Sequence, residues 1–356
     1  MISVIIVNFK SAHMVKRAVD SVFREKEEIE VFVVDNTATS EERERLRGIF
    51  NAQEVNLVFN ESNVGFAAAC NQAFHSSQSE FIFLLNPDAY VIPPCLRILR
   101  EFMENMPRAG SSSPLLYWDS AMTYLFPNSS PPSPGQDFCR ELSEISPRFG
   151  CLYSHMGKRR NLKLWRSSSS VKVKNLSGGT VMLRRSAIED AGGLFDEQFF
   201  MFYEDNDLFL RLRRAGYSLY FVPRAKAVHK YVHSALKLEI MAQSRELYYE
   251  KHFSNHFLRR LHAHLPGRSP GMEYTDSGNW STPPVFSVPE ELRKGYLFEW
   301  SPNHLFIPAV GFFGKGETFI FSEEIWHSLD KGDYYSRFSD GRKLLSCNRP
   351  LIWRKV

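Results

Sequence analysis

The sequence predicts an α/β fold, an open and mostly parallel sheet with helices on both faces. Strand-like apolar runs alternate with helical patterns over the first hundred residues, as in chains that form parallel sheets covered by helices. The runs are apolar throughout, which is typical of strands that are buried on both faces. The chain has 356 residues, 43% of them hydrophobic, and this length suggests about two globular domains.

Each element of the first hundred residues has its own signature. Four continuous apolar runs are predicted as strands, namely Ser3–Asn8, Ile29–Val34, Val55–Phe59 and Phe81–Leu85. Helices are predicted from apolar residues at helical spacing, at 15–23, 40–50, 65–74 and 93–103. Ser40 is the expected N-cap of the second helix, and Pro93 and Pro94 open the fourth.

The pattern changes past Leu116. Residues 119–170 are rich in proline, serine and glycine, which favours a long loop. The chain then regains regular patterns, with order at Val171–Arg184, a helix at Tyr203–Ala215, a strand at Ser218–Val222 and a helix at Ser234–Phe253. From about residue 266, short apolar stretches alternate with proline and glycine, which predicts a small all-β domain. We therefore expect two domains, residues 1–265 with the long loop at 119–170 and a β-rich accessory domain at 266–356.

The tryptophans of the accessory region admit two interpretations. They are Trp280, Trp300, Trp326 and Trp353. Exposed indole rings would stack on sugar rings and make a saccharide-binding module, whereas buried rings would form the core of a small β-domain. The core interpretation is the one we favour.

Composition and charge exclude several classes of protein. The net charge of +4 is mild and gives no reason to expect a nucleic-acid partner. The longest apolar runs fall far short of the ~20 residues that span a bilayer, and the first eight residues have the pattern of a strand and not of a signal peptide. The five cysteines contain no CxxC pair, which favours a reducing compartment. We expect a cytoplasmic protein.

Polar residues follow three of the predicted strands, at Asn8-Phe9, Asp35-Asn36 and Asn86-Pro87-Asp88. In an open α/β sheet, ligands bind outside the carboxyl ends of the strands. No GxGxxG or GxxxxGK[ST] motif occurs, which disfavours a dinucleotide oxidoreductase and a P-loop NTPase. Asp35 suits hydrogen bonds from a base or ribose, and Asp88 suits a Mg²⁺ or Mn²⁺ that also binds phosphate oxygens. Both segments are equally compatible with plain turns.

Acidic and aromatic residues are concentrated between Leu194 and Arg211, where Glu204, Asp205 and Asp207 lie among Phe and Tyr residues. Acids at the start of a helix are favoured by its macrodipole, which is one explanation. A partly desolvated carboxylate is also a better general base, which is the other. Glu204 and Asp205 are adjacent, so at most one of them should face a reacting centre. His229 follows a strand and is a candidate metal ligand or a structural histidine.

Together these segments resemble glycosyltransferase family 2, the inverting sugar transferases of the GT-A fold, and in particular its rhamnosyltransferase-like branch. The resemblance covers about residues 1–255. The segments that carry it occur in the order expected for the family: Val4–Phe9, Val33–Asn36, Asn63–Gln72, Leu84–Ala89, Ser177–Gly179, Gly192–Glu197, Phe200–Leu208 and His229. It implies a Rossmann-like, mostly parallel GT-A sheet in the first domain.

The resemblance implies a site for a nucleotide sugar and a divalent cation. The residues that would contact the nucleotide sugar are Asn8, Phe9, Asp35, Asn36, Asn63, Gly65, Asn71, Asp88, Gly178 and Gly179. Asp88 matches the last acid of the family's Asp-x-Asp motif and His229 a histidine near the metal, so the two would hold Mg²⁺ or Mn²⁺. Asp205 matches the catalytic base, with Glu204 beside it. The chain departs from the family in two places, since Asn86 replaces the first acid of that motif and Ser40 the last acid of the run that starts at Asp35.

These residues imply an inverting glycosyltransferase of cell-surface polysaccharide synthesis. The donor would be a nucleoside-diphosphate sugar, with dTDP-rhamnose as the specific hypothesis, and the acceptor a saccharide or a lipid-linked saccharide. Lys158-Arg159-Arg160 would contact an acceptor diphosphate-lipid or the inner face of the plasma membrane, or would be solvated surface. Peripheral membrane contact is therefore an open alternative to a purely cytoplasmic location.

The sequence is also to be compared with two other functional classes of protein. A non-catalytic carbohydrate-binding protein on a vestigial transferase fold is the main alternative, although the intact Asp88, Glu204 and Asp205 argue against it. A nucleotidyltransferase is disfavoured, because the glycine-rich loop with a following Arg and Lys is missing near the start of the chain.

Overall fold

A computed structural model describes residues 1–50, 54–230, 235–258, 273–341 and 349–356 of the chain. The strands are β1 (Ile2–Asn8), β2 (Ile29–Asp35), β3 (Asn56–Phe59), β4 (Phe81–Leu85), β5 (Ala89–Ile92), β6 (Ala109–Tyr117), β7 (Tyr124–Leu125), β8 (Val171–Val173), β9 (Thr180–Arg184), β10 (Ser218–His229), β11 (Thr275–Trp280), β12 (Val285–Ser287), β13 (Tyr296–Ser301), β14 (Val310–Gly314), β15 (Thr318–Ile320), β16 (Gly332–Ser339) and β17 (Leu351–Lys355). The α-helices are α1 (Ala12–Phe23), α2 (Ser40–Ile49), α3 (Phe66–Ser76), α4 (Cys95–Glu104), α5 (Pro134–Ile145), α6 (Pro147–Trp165), α7 (Arg185–Asp190), α8 (Glu204–Arg214), α9 (Ala235–Phe253) and α10 (Glu323–Ser328).

The central sheet begins with four parallel strands in the spatial order β3, β2, β1 and β4. Beyond β4 it continues with β9 and β6, each antiparallel to the strand before it, and β10 runs parallel to β6. The predicted α/β fold class is confirmed, and the four strands predicted in the first hundred residues lie where the apolar runs place them, whereas β5 was not predicted. The antiparallel continuation was not visible in the sequence pattern.

Helices cover both faces of this sheet. Val4 and Ile6 of β1 pack in a core with α1 and α4 on one face, while Ile5 and Val7 pack in a second core with α3 and α8 on the other. Side chains alternate between the two faces of a strand, so a strand covered on both sides needs apolar residues at every position. This explains why the predicted strands are continuous apolar runs.

The long loop predicted at 119–170 is wrong over most of its length, because α5 and α6 occupy this segment. Ser133 and Ser146 are the N-caps of the two helices, and each side-chain oxygen accepts a hydrogen bond from the backbone N–H three residues on. Pro134 and Pro147 occupy the first helical positions, where proline is favoured. The same prolines and serines that suggested a loop are therefore helix starts.

Two boundaries also differ from those predicted. Thr39, and not Ser40, caps α2, since the Thr39 hydroxyl accepts a hydrogen bond from the Glu42 N–H. The last strand of the central sheet runs past Pro223 to His229, with a shift in its pairing with β6 between Val222 and Lys226. An irregularity of this kind lets a strand accommodate proline, and here it carries the chain on to His229.

The C-terminal strands extend the same sheet. Gly311 of β14 pairs with Leu125 of β7, which in turn pairs with β6. The aromatic core of this region includes Trp118 and Tyr124 from the first half of the chain. Of the four tryptophans of the accessory region, Trp300, Trp326 and Trp353 are buried in this core and Trp280 packs against it. This confirms the interpretation of these rings as core residues. The predicted domain boundary at 265/266 lies outside the described residues, as does Ser234.

No helix within the described parts of the chain combines the length and the apolar character needed to cross a lipid bilayer.

Candidate active site

The candidate catalytic helix, α8, starts after a tight turn. Phe202 and Tyr203 both have positive φ, +70° and +65°, a conformation that is uncommon for residues with large side chains. This turn reverses the chain immediately before Glu204 and Asp205, so that both acids lie in the first turn of the helix. The positive end of the helix macrodipole stabilises negative charge there.

The Asp205 carboxylate is held by three hydrogen bonds. The Gly178 N–H donates to Oδ2 at 3.0 Å, and the backbone and side-chain amides of Asn206 both donate to Oδ1 at 2.7 Å. Burial raises the pKa of Asp205, and the backbone hydrogen bonds from Gly178 and Asn206 oppose this shift. A carboxylate fixed in this way, with a raised pKa, is suited to accept a proton from a substrate hydroxyl.

Glu204 has different surroundings. Its side chain is buried, and its Oε2 has no hydrogen-bond partner among the described residues. Burial together with the negative charge of Asp205 raises its pKa well above the ordinary value. Protonation relieves both penalties. Asp205 is therefore the better candidate of the two for a base.

Asp207, the third acid of this segment, lies away from the cavity. Its buried carboxylate accepts hydrogen bonds from Arg211 on its own helix at 2.7 Å, and from Lys251 and His252 of α9 at 2.9 and 2.7 Å. Burial alone would raise its pKa, but the hydrogen bonds from His252 and Lys251 and the charge of Arg211 lower it far below the ordinary value. Asp207 thus links α8 to α9 through these hydrogen bonds.

Gly178 and Gly179 lie between the Asp205 carboxylate and the end of β4. A Cβ atom added to Gly178 would lie 2.6 Å from the Asp205 Cβ, and one added to Gly179 would lie 2.7 Å from the Asn86 Cγ. The Asn86 N–H donates to the Gly179 carbonyl at 2.8 Å. Glycine at both positions therefore allows Asp205 and the strand end to approach each other.

The end of β10 brings His229 against Asp88. The His229 Nε2 lies 3.2 Å from the Asp88 Oδ1 and 3.5 Å from the Asn86 Nδ2. The imidazole is buried and stacks on the Phe126 ring, with centroids 5.2 Å apart. Its position is thus fixed by packing as well as by Asp88.

This pair fits a divalent cation only in part. A carboxylate oxygen and an imidazole nitrogen are suitable ligands for Mn²⁺, and the carboxylate for Mg²⁺. No group of three or more His, Cys, Asp or Glu side chains within the described ranges is arranged to hold a metal ion. Asp88 and His229 would therefore need phosphate oxygens of a substrate and water to complete the coordination.

The strand-end residues Asn8 and Asp35 lie side by side where β1 and β2 end. The Asn8 Nδ2 donates to the Asp35 Oδ1 at 2.9 Å and to the Glu42 Oε1 at 3.1 Å. Asp35 is buried, and its Oδ2 has no hydrogen-bond partner in the part of the chain that the structure describes, so this oxygen is available to a ligand. Phe9 is 48% exposed beside them. Glu42 was missed because it looks like any acid in the first turn of a helix.

The polar side chains of Asn36, Asn63 and Asn71 are engaged within the protein. Asn36 Nδ2 donates to the Gly65 carbonyl, and Asn63 Oδ1 accepts from the Gly65 N–H. The Asn71 amide donates to the Phe195 carbonyl at 2.9 Å and accepts from the Phe195 N–H at 3.1 Å. These asparagines shape the loops around the site, and their predicted contact with a nucleotide sugar stays a prediction.

A cavity of about 580 Å³ is lined by the candidate base and by the candidate cation ligands. Of the predicted site residues, those that line it are Asp88, Gly178, Gly179, Glu204, Asp205 and His229, and Asn86 lines it beside Asp88. The predicted residues that do not line it are Asn8, Phe9, Asp35, Asn36, Asn63, Gly65 and Asn71. Residues of α6 and of the β13–β14 connection also line the cavity. Arg160 belongs to the basic run that the sequence marked as a possible contact for an acceptor diphosphate-lipid, whereas sequence reasoning missed Gly157, Asn161, Phe306, Ile307 and Pro308.

A mixed α/β sheet with acids, glycines and a histidine around a cavity at the strand ends defines the fold as that of the GT-A glycosyltransferases. Residues 3–191, more than half of the chain, match the model of the family described as Glycosyl transferase family 2. The chain belongs to glycosyltransferase family 2, as the resemblance of its motifs implied. Asp205 and His229 lie beyond the matched residues.

Two characterised relatives and one solved structure are similar to this chain. N-acetylglucosaminyl-diphospho-decaprenol L-rhamnosyltransferase of Mycobacterium tuberculosis is 28% identical over 191 residues, which cover 51% of this chain and 60% of that protein. The low-salt glycan biosynthesis hexosyltransferase Agl10 of Haloferax volcanii is 25% identical over 261 residues, covering 72% and 74%. The crystal structure of GalNAc-T7 with UDP, GalNAc and Mn²⁺ has a TM-score of 0.50 at 14% identity, covering 75% of this chain and 51% of that one, and supports the fold alone.

Proposed function

We propose that this protein is an inverting glycosyltransferase that moves a sugar from a nucleoside-diphosphate sugar to a hydroxyl of a saccharide acceptor, with Asp205 as general base. The observation that carries the proposal is that Asp205 and the Asp88–His229 pair line one cavity. A base for the acceptor and a site for the donor's diphosphate are the two functions that such a transfer needs in one place.

The proposed reaction uses the groups described above. Asp205 takes the proton of the acceptor hydroxyl as its oxygen attacks the anomeric carbon of the donor sugar. The bond from that carbon to the diphosphate breaks on the opposite face, so the configuration inverts and the diphosphate leaves with the electron pair. Mg²⁺ or Mn²⁺ bound by Asp88 and His229 would stabilise the charge that develops on the diphosphate. Gly178 holds the Asp205 carboxylate in position through its N–H.

The substrates are proposed at a finer level from the relatives. The name of the mycobacterial relative describes transfer of L-rhamnose to a saccharide on a diphospho-lipid, which supports dTDP-rhamnose as donor and a lipid-linked saccharide as acceptor in cell-surface polysaccharide synthesis. The nucleoside would lie at the ends of β1 and β2, where the Asp35 Oδ2 is without a partner. With such an acceptor, the enzyme would work in the cytoplasm at the inner face of the membrane.

The test separates base catalysis from donor binding. In Asp205→Asn, transfer from dTDP-rhamnose should fall about 10²- to 10⁴-fold, because the base is lost. Binding of dTDP in the presence of Mn²⁺, measured by calorimetry, should change less than about twofold, since general-base loss affects the transition state and leaves ground-state binding in place. Asp20→Asn, on the exposed face of α1, is the matched control and should keep full activity.

A second variant tests the cation site. Asp88→Ala should weaken Mn²⁺-dependent binding of dTDP, and an unchanged Mn²⁺ requirement would contradict the metal assignment. Retention of transfer by Asp205→Asn, or loss of its fold together with dTDP binding, would contradict the proposed base. Saccharide binding without turnover of any nucleotide sugar would favour the non-catalytic, carbohydrate-binding alternative.

A further inference from the structure

The basic run Lys158-Arg159-Arg160 on α6 is divided among three environments. Lys158 is only 1% exposed, Arg159 is exposed, and Arg160 is half-buried and lines the cavity that contains Asp205. The expectation of solvated surface therefore holds for Arg159 alone. Arg160 points a permanent positive charge toward the site.

Arg160 lacks a partner for that charge. Its guanidinium has no hydrogen bond and no ion pair with any residue that the structure describes, and its Nε is shielded from solvent. Burial lowers the pKa of Arg160, because removal from water penalises the charged form. Even a half-buried guanidinium without a counter-charge is unfavourable to the fold unless something else supplies an anion.

A second donor without a partner lines the same cavity. The Nδ2 of Asn128, in the segment between β7 and α5, is shielded from solvent and makes no hydrogen bond within the described chain. Among the side chains known to line this cavity, Arg160 carries the only permanent positive charge, whereas Asp88 and Asp205 are acids. Two unpaired donors, one of them cationic, are complementary to a group that only accepts hydrogen bonds and is negatively charged.

We propose that Arg160, assisted by Asn128, binds a phosphate group of the substrate inside this cavity. The proposal deepens the proposed function and rests on it for the source of the phosphate. Arginine suits this role because its planar fork of N–H groups matches phosphate oxygens. Two substrates could bring the group, namely the diphosphate that links an acceptor saccharide to its lipid and the diphosphate of the donor. The experiment distinguishes them.

Phosphate binding is tested first, without turnover. Inorganic pyrophosphate is titrated calorimetrically into the protein with chelator present, so that no cation contributes. Arg160→Gln should weaken binding about 10- to 100-fold, the range expected for loss of hydrogen bonds to a charged group, and Arg160→Lys should restore part of it. Arg159→Gln, the exposed neighbour, is the matched control and should bind as the wild type does. Equal affinity in both glutamine variants, or no binding by the wild type, overturns the proposal.

The second part assigns the phosphate to its source. The acceptor probes are GlcNAc diphosphate carrying a short prenyl chain and the octyl glycoside of GlcNAc, which has no phosphate. If the acceptor supplies the group, Arg160→Gln raises KM for the diphosphate acceptor about 10- to 100-fold, leaves KM for the octyl glycoside unchanged and leaves dTDP binding with Mn²⁺ intact. If the donor supplies it, dTDP binding weakens and both acceptors are affected equally.

Separate measurements test whether the variant folds and whether the proposed glycosyltransferase function is wrong. Arg160→Gln removes a buried unpaired charge, so its thermal unfolding midpoint should be no lower than that of Arg159→Gln. A wild-type protein that binds pyrophosphate through Arg160 but transfers no sugar to either probe would overturn the proposed function and leave the phosphate site standing. If the enzyme transfers sugar but the Arg160 variants bind pyrophosphate as the wild type does, the phosphate site is overturned and the proposed function stands.

Discussion

Glu204 and Asp205 are adjacent in the chain but differ in hydrogen bonding and burial, and this difference determines which of them is the better candidate for a base. Asp205 receives hydrogen bonds from Gly178 and Asn206, while Glu204 is buried with an unpaired oxygen. The sequence pattern indicated that only one of the two would face a reacting centre. It could not indicate which environment each would have, because the Gly178 N–H comes from a segment more than 20 residues earlier.

Gly178 gives a prediction at this scale. In Gly178→Ala the new methyl group would lie 2.6 Å from the Asp205 Cβ and 2.9 Å from its Oδ2, so the carboxylate has to move. A displacement of this size near the reacting atoms should lower kcat about 10²-fold, and overpacking should lower the free energy of unfolding by about 1–3 kcal/mol. Steady-state kinetics and urea unfolding measure the two effects.

The matched control is Gly48→Ala in α2. Outside its own turn of the helix, no atom of the described residues lies within 4 Å of a Cβ placed on Gly48, and alanine favours a helix over glycine by up to about 1 kcal/mol. This variant should therefore be slightly more stable and fully active. Wild-type kcat in Gly178→Ala would show that Asp205 tolerates the methyl group and that its position is not tightly set.

Other residues of the site could be predicted to different degrees. Asp88 and His229 were paired by their likeness to a family motif, and they do lie 3.2 Å apart. Arg160 was one of three basic residues with two open interpretations, and nothing in its spacing showed that it faces a cavity. Burial of one side chain in a run depends on what packs against the helix, which local sequence does not contain.

Among the elements, α8 depends on α9 through one buried carboxylate. Asp207 binds Arg211, Lys251 and His252. Asp207→Asn should lower the free energy of unfolding by roughly 1.5–3 kcal/mol at pH 7, because the hydrogen bonds that Arg211, Lys251 and His252 donate to a charged, buried carboxylate are weakened. The control is Asp333→Asn, which breaks an exposed pair with Arg354 and should cost less than about 1 kcal/mol.

The pH dependence of this effect has a defined sign. The pKa of Asp207 is lower in the folded protein than in the unfolded chain, so its stabilising effect is complete above the unfolded value of about 4. It is lost as the pH falls from there toward the folded pKa. The stability difference between wild type and Asp207→Asn should therefore shrink below about pH 4. A difference independent of pH would show that the cluster is not held by ionised Asp207.

Elements with strong periodicity were predictable, and those defined by caps were not. The four apolar runs became β1 to β4 because burial on both faces demands apolar residues throughout. In contrast, α5 and α6 were not predicted, because Pro134, Pro147 and the serines before them suggested a loop. These residues favour turns and helix starts alike, so only the tertiary structure distinguishes the two.

At the scale of the whole molecule, the C-terminal strands are joined to the transferase sheet by several kinds of contact. β14 pairs with β7, Lys230 forms an ion pair with Glu324 at 2.6 Å, and Arg337 donates to the Ser154 hydroxyl of α6 at 2.7 Å. Tyr124 lies in the C-terminal aromatic core. Removing either part would expose apolar surface of the other.

We therefore predict a single unfolding transition for the full chain. Far-ultraviolet circular dichroism, which reports on all helices, and tryptophan fluorescence, which is weighted toward the C-terminal core, should give coincident urea midpoints. Two domains at 1–265 and 266–356 that fold independently would instead give separate transitions, with fluorescence and circular dichroism diverging. That outcome would contradict the coupling inferred from the shared sheet and core.

The cavity wall at residues 306–308 has a consequence for how such enzymes diversify. This wall lies far beyond residues 3–191, which carry the family's likeness, as do Asp205 and His229. Grouping proteins by similarity over that stretch therefore leaves residues 306–308, which are part of the cavity lining, out of the comparison. Exchanging residues 306–308 between relatives is then a way to alter selectivity while the strand ends of the sheet stay as they are.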